Sequence, residues 1–421
     1  MNHFHYINGI LHAENVPIPE IAEKVGTPFY CYSSATLERH YTVFANAFSD
    51  IDAKVCYAMK ANSNQAVLAT LARLGSGADV VSGGELKRAL AAGITPDKIM
   101  FSGVGKTTGE IDLALDIGIF CFNVESVPEL HRLSERAVAK GLLAPVSLRI
   151  NPDVDAKTHD KISTGKAGDK FGIPWTDASQ IYELAASLSG IQVCGIDMHI
   201  GSQIEELEPF DRAFSRLGEL ITSLRGQGHA IDHIDLGGGL GIPYRNDNVP
   251  PPDPHAYAEV VKKHVRELDC EVVFEPGRMI AGNAGILVGS VIYVKESDAK
   301  TFLIADTAMN DLIRPTLYEA WHEIRPVKEQ TLSVPMVNGD LVGPVCETGD
   351  YMARNRSLPA MQAGDLFVLG SAGAYGAVQS GTYNTRPLVP EVLVNDDLFH
   401  VVRPRMDVDA LIDMDSVPDW L

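Results

Sequence analysis

Between residues 35 and 275, short apolar runs alternate with longer amphipathic stretches, and no other feature of this 421-residue chain restricts its fold as much. Apolar runs of this length read as strands buried on both faces of a parallel sheet, and the stretches between them as connecting helices. Eight runs fit, at approximately 53–60, 77–81, 98–102, 118–123, 145–150, 193–199, 230–236 and 271–275. Three of the intervening helices carry a start signal, a hydroxyl residue followed three positions later by glutamate: Ser82 with Glu85, Thr107 with Glu110, and Ser126 with Glu129. Eight strand–helix units within about 240 residues match an α/β chain folded as a (β/α)8 TIM-like barrel, whose chemistry sits where the strands end. A doubly wound sheet has a similar period and is the alternative.

After residue 280 the pattern changes to shorter alternating stretches at 285–294, 301–304, 365–369 and 389–394, separated by Gly, Pro and Asn. This predicts a mostly antiparallel β domain. The expected organisation is a barrel over 31–280 and a C-terminal β domain over 281–421, joined by a strand-like N-terminal segment, 1–30. A chain this long exceeds what one core ordinarily supports, so two domains agree with its size.

Composition removes several classes of function. No run approaches the roughly 18 apolar residues needed to span a bilayer. Thirty-five Lys and Arg against 55 Asp and Glu give a net charge of −20, which argues against nucleic-acid or anionic-membrane partners. The first thirty residues lack a basic start followed by an apolar stretch, so a cytoplasmic location is expected. The six cysteines are scattered without a CxxC pair, which predicts reduced, buried fillers and no metal site.

The residues that carry chemistry fall at the ends of the predicted strands. Lys60 closes the first. An exposed lysine is the ordinary occupant of such a position, but an amine held at a dry barrel mouth would have its charged form disfavoured and be suited to bind a carbonyl cofactor. Gly237-Gly238-Gly239-Leu240-Gly241 follows the seventh strand, where backbone N–H groups can approach a phosphate. A dinucleotide fingerprint fails there, because Ile242 stands where a glycine is needed, so a single phosphate fits better. Glu275-Pro276-Gly277-Arg278 ends the eighth strand. Its carboxylate is suited to face the pyridine nitrogen of pyridoxal 5'-phosphate (PLP), keeping the ring an electron acceptor when a bond at Cα breaks. His199 could stack on that ring and Ser202 could bond the phosphate. Asp79 and Arg149 also occupy strand ends, where a structural ion pair is the commoner finding. In the β domain, Cys346 lies beside Glu347 and Asp350, and a thiol with a pKa near 8.5 can deliver a proton at neutral pH. A buried thiol without such a duty is more usual. Arg314 with Tyr318, and Tyr375, offer a carboxylate clamp and a phenol.

In order along the chain, YAMKANSN, GADVVSGGEL, RINP, HIGSQ, GGGLGIPY, EPGR, RPTLY, PVCETGD and GAYG resemble the diaminopimelate decarboxylase family, as do HDKISTG at 159–165 and KFGI at 170–173. The resemblance runs nearly end to end. It implies a fold-type III PLP enzyme with an alanine-racemase-like barrel, working as a head-to-tail homodimer whose site is shared across the interface. It implies that Lys60 bears PLP and His199 stacks on it, and that Ser202, Gly237, Gly238 and Gly239 hold the phosphate with help from Arg278 or its peptide N–H, Gly277 being a further cofactor-binding residue. Glu275 would pair with the ring nitrogen, with Asp79 and Arg149 completing the cofactor set. Cys346, donated by the other subunit, would return the proton. Arg278, Arg314 and Tyr318 would bind the substrate's distal carboxylate, Glu347 its distal ammonium, and Tyr375 both cofactor and substrate. The implied reaction converts meso-diaminopimelate to L-lysine and CO2, the last step of lysine biosynthesis. The alternatives are a decarboxylase of ornithine, arginine or carboxynorspermidine, an alanine racemase, and a non-catalytic PLP-binding homologue. Glu275 speaks against the racemase, which sets an arginine at that place.

Overall fold

A computed structural model describes residues 2–156, 164–165, 170–245, 250–297, 300–330 and 336–421. The conformation of the loop 155–172, left open by the sequence, lies largely outside these residues. The chain forms two compact units, one of residues 40–242 and 249–279, the other of residues 1–39, 243–248 and 280–421.

The first unit is the barrel. Its strands are β1 (Ala53–Ala58), β2 (Gly77–Val80), β3 (Ile99–Phe101), β4 (Cys121–Val124), β5 (Ala144–Asn151), β6 (Ile191–Asp197), β7 (His233–Asp235) and β8 (Glu271–Phe274). Each pairs in parallel with the next, and β8 pairs with β1 through Val272 and Ala53. That closure decides for the barrel over the doubly wound sheet, which keeps open edges. All eight sequence-predicted strands are present. The wall is apolar because strands covered by helices outside and side chains inside meet no water. Phe274 of β8, for instance, lies 4.1 Å from the ring of Phe48 and packs edge-on against Tyr257 of the helix Pro254–Val265.

The predicted caps are real, and two are divided. Thr107 and Glu110 bond reciprocally at the start of Thr108–Ile117. Ser82 and Ser126 accept the N–H of Glu85 and Glu129, but those glutamates turn their carboxylates to the N–H of Val81 and Glu125. Each thus ties a helix start to the loop leaving a strand end, the level at which the site is built.

The second unit is a largely antiparallel sheet. Gly285–Glu296 pairs with Thr301–Ala305, Leu366–Leu369 and Phe29–Ser33, and Phe29–Ser33 pairs in parallel with Glu391–Asn395. Phe29 and Cys31 join Phe4, Leu11, Val16, Ile18, Ile286, Val288, Val368 and Val392 in one buried cluster. The strand-like expectation for 1–30 fails over Ile18–Val25, which is helical. Ile18 and Ile21 are buried three positions apart, a helical spacing too short to be distinguished in a window of alternating residues. No helix among the described residues is long and apolar enough to cross a membrane.

Candidate active site

Strand β1 ends at Ala58 and the chain tightens into a single 3-10 turn, Met59–Ala61. Met59 and Ala61 are buried, which leaves Lys60 directed out of the wall. Its Nζ donates to Oδ2 of Asp79, a fully buried residue of β2. The expectation of an amine at a dry barrel mouth is therefore modified, because the Lys60 side chain is 36% exposed and ion-paired. Oδ1 of Asp79 is buried without a hydrogen-bond partner.

The segment after β6 and the glycine run after β7 hold each other. Ile204 donates its N–H to the carbonyl of Gly239 at 2.9 Å, and Gly241 donates to Ile204 at 3.0 Å. Gly237, at φ 64°, donates its N–H to Oδ1 of Asp235, and Gly238 donates to Nδ1 of His199 at 3.2 Å. A Cβ on Gly237 would stand 2.6 Å from that nitrogen, so only glycine lets the loop touch the imidazole. Burial, with the cations of Arg149 and Lys60, holds His199 well below its ordinary pKa. The ring is neutral, with Nδ1 as acceptor. Ser202 accepts from Arg278 at 3.0 Å, which joins this loop to the end of β8.

Behind these groups lies a nest of buried acids. Glu275 accepts from Ser102 at 3.2 Å and from Asn123 at 3.4 Å. Burial, Asp235 and Asp79 push its pKa well above the usual carboxylate range, and Lys60 only partly opposes them. Asp197 is raised in the same way by burial and Asp235. Arg149 meets Glu125 at 3.2 Å and lies 5.0 Å over the ring of Phe171. The ordinary reading of Asp79 and Arg149 as members of ion pairs is thus correct as far as it goes.

The remaining candidates belong to the β unit. Arg314 is buried at the start of the helix Arg314–Tyr318, where Nη1 meets Nε2 of His322 at 2.8 Å and the guanidinium lies 4.6 Å over the ring of Tyr244. Thr316 of that helix donates to the carbonyl of Gly349 at 2.6 Å, which binds it to the loop holding Cys346 and Glu347. Asp350 closes that loop by accepting the N–H groups of Met309 and Val345. Cys346 is exposed, and its N–H is fixed by Asn384 at 2.8 Å. Tyr375 has a φ of 57°, a conformation rare for a bulky residue and maintained only by its surroundings.

Residues 34–282 match the family described as pyridoxal-dependent decarboxylase, pyridoxal binding domain. The diaminopimelate decarboxylase of Vibrio cholerae is 52% identical over 419 residues, covering 99% of both chains. The chain belongs to the diaminopimelate decarboxylase family. A crystal structure of diaminopimelate decarboxylase from M. jannaschi aligns with a TM-score of 0.94 at 34% identity, covering 100% of this chain and 99% of that one. Another, from Helicobacter pylori complexed with L-lysine, aligns at 0.90 and 38% identity, covering 94% and 98%.

PLP is the cofactor of a diaminopimelate decarboxylase family member, and the barrel mouth fits it. Oδ1 of Asp79, Nη2 of Arg149 and Oδ1 of Asn123 are buried polar atoms without partners. The glycine run leaves a concavity that side chains would fill, and the donor set combines an amine, a guanidinium and a buried acid. Sequence reasoning missed Ser102, Asn123, Asp197 and Asp235, which surround Glu275. Their signal was available: each is a polar residue at or just beyond the end of a predicted barrel strand.

Proposed function

We propose that the chain decarboxylates meso-2,6-diaminopimelate to L-lysine and CO2, the last step of lysine biosynthesis, with PLP held on Lys60. The observation that carries this reading is Glu275, a buried acid at the barrel mouth. An acid there, rather than a cation, is what a reaction needing a protonated ring nitrogen requires. The chemistry PLP supplies when bound is an electron sink for the pair released as the Cα–carboxylate bond breaks.

Every other task falls to the chain. Lys60 Nζ holds the cofactor, with Asp79 orienting the amine. Neutral His199, locked by Gly238, presents a flat face without adding a competing charge. Ser202, Arg278, Gly277 and the glycine run Gly237 to Gly239 hold the phosphate, and Arg149 helps to balance the buried acids. Loss of CO2 leaves Cα one proton short, and Cys346 Sγ is the donor. Arg314, fixed by His322 and Tyr244, receives the distal carboxylate together with Arg278 and Tyr318; Glu347 receives the distal ammonium, and Tyr375 touches cofactor and substrate. The working unit is a homodimer in the cytoplasm, with the site completed by Cys346 of the second chain.

Specificity follows from charge. Diaminopimelate ends in a second amino-acid head, and ornithine brings no carboxylate for the buried arginine to receive. Purified protein should release CO2 from meso-diaminopimelate and not from ornithine, and Arg314→Ala should raise KM for the former by about 10- to 100-fold, the worth of a charge-assisted hydrogen bond. Preferential turnover of ornithine would overturn the assignment.

A further inference from the structure

At the opposite end of the barrel, near the strand starts, three residues distant in sequence come together. Cys121 opens β4, Cys194 lies within β6 and His233 opens β7. Their ligand atoms all lie within 4.8 Å of one another. We propose that Cys121, Cys194 and His233 form a site for a divalent thiophilic cation of the zinc class.

Core filling is the simpler account of one buried and one half-buried cysteine, since Cys121 packs with Cys56, Met100 and Val273 and Cys194 lies against them. It does not account for His233, which is 3% exposed and whose buried imidazole meets the Cys194 thiol. A thiol and an imidazole that meet inside a barrel are the donor types a thiophilic cation selects.

The backbone is shaped around the group. The register of β6 against β5 slips between Val193 and Gly195, so Cys194 is the extra residue of a bulge, the usual device for redirecting one side chain. Gly195 has no side chain where one would be impossible, for a Cβ there would stand 2.3 Å from Nε2 of His233. Asp232 donates its N–H to the carbonyl of Cys194 at 2.8 Å, which fixes β6 against the start of β7.

The distances suit the cation. Two zinc–sulfur bonds of about 2.3 Å at a tetrahedral angle set the sulfurs about 3.8 Å apart, and Sγ of Cys121 and Sγ of Cys194 are 3.7 Å apart. A disulfide suits them less well. β4 and β6 flank β5, so their backbones stand roughly two strand spacings, about 9 Å, apart, beyond the roughly 7 Å that a disulfide spans. Charge selects within the thiophilic metals: two thiolates and a neutral imidazole around a dication form a neutral assembly, whereas a monocation would leave a buried negative charge. Cys194 is half-buried, which gives a route of entry.

The test uses the PLP-loaded enzyme, stripped with a chelator and titrated with Co2+ as a spectroscopic stand-in for Zn2+. One cobalt should bind per chain with a thiolate-to-metal charge-transfer band, which binding by His3, His5 and His12 near the N-terminus would not give. Cys121→Ala and Cys194→Ala, checked for folding by circular dichroism, should lose the band, and Cys346→Ser should keep it. Zn2+ should raise the thermal midpoint of wild type and not of His233→Ala. Failure of wild type to hold cobalt with that band overturns the proposal, whatever the variants do. Persistence of the band in folded Cys194→Ala, or recovery of Cys121 and Cys194 as a disulfide, overturns it equally.

Discussion

Burial and the carboxylates of Asp235 and Asp79 push the Glu275 carboxyl well above the usual carboxylate range, and the Lys60 cation only partly opposes them. Such an acid yields readily to a cation that arrives next to it, which is the property required opposite a pyridine nitrogen. Glu275→Gln keeps an oxygen for Ser102 and Asn123 but cannot carry the charge. It should lower kcat by about 10²- to 10³-fold, as removal of a transition-state electrostatic contact does, while KM for diaminopimelate changes little. Unchanged turnover would remove Glu275 from its role. The acid itself was legible in the sequence, since it ends a strand and precedes Pro-Gly-Arg. Its raised pKa was not. That depends on Asp79, Asp197 and Asp235, residues of three other strands brought together only when the barrel closes, and no linear spacing records their mutual repulsion.

Among elements, strands declared themselves through runs of apolar residues, and helix starts through capping pairs, because both signals are local. Turns built on a buried acid are less visible. Asp311 accepts the N–H of Ala308 at 2.8 Å and returns its own N–H to the Ala308 carbonyl at 2.9 Å, closing the turn that leads into Arg314–Tyr318. Burial raises its pKa to about 7, with the Ala308 N–H and Arg386 opposing. The folded value lies above the unfolded value of about 3.9, so the folded state binds this proton more tightly. Its contribution to stability is complete below pH 4 or so and is lost progressively as pH rises to about 7. Asp311→Asn still accepts from Ala308 and has nothing to ionise. Its thermal midpoint should exceed that of wild type at pH 8 and match it near pH 4. An equal shift at both pH values would show that lost packing, and not the proton, controls the turn.

At the scale of the molecule, the sequence announced a barrel and a β domain but not which distant strands would pair. Phe29–Ser33 lies between Gly285–Glu296 and Glu391–Asn395, partners more than 250 residues away, and any apolar strand could have taken that place by pattern alone. The same limit applies to the division of chemistry. Lys60 belongs to the barrel unit and Cys346 to the β unit. Cys346 is also the one exposed cysteine of the six, as a thiol offered to a second chain would be. If the site is shared, Lys60→Ala and Cys346→Ala are each inactive for different reasons, and a mixed dimer regains one site with both groups intact. Mixing the two variants in equal amounts under conditions of subunit exchange should therefore restore about a quarter of wild-type activity, since half of the dimers are mixed and each holds one good site of two. Separately tagged subunits would report the exchange itself. If exchange is complete and activity stays absent, Lys60 and Cys346 serve the same site from one chain, and the dimer is not required for the proton transfer.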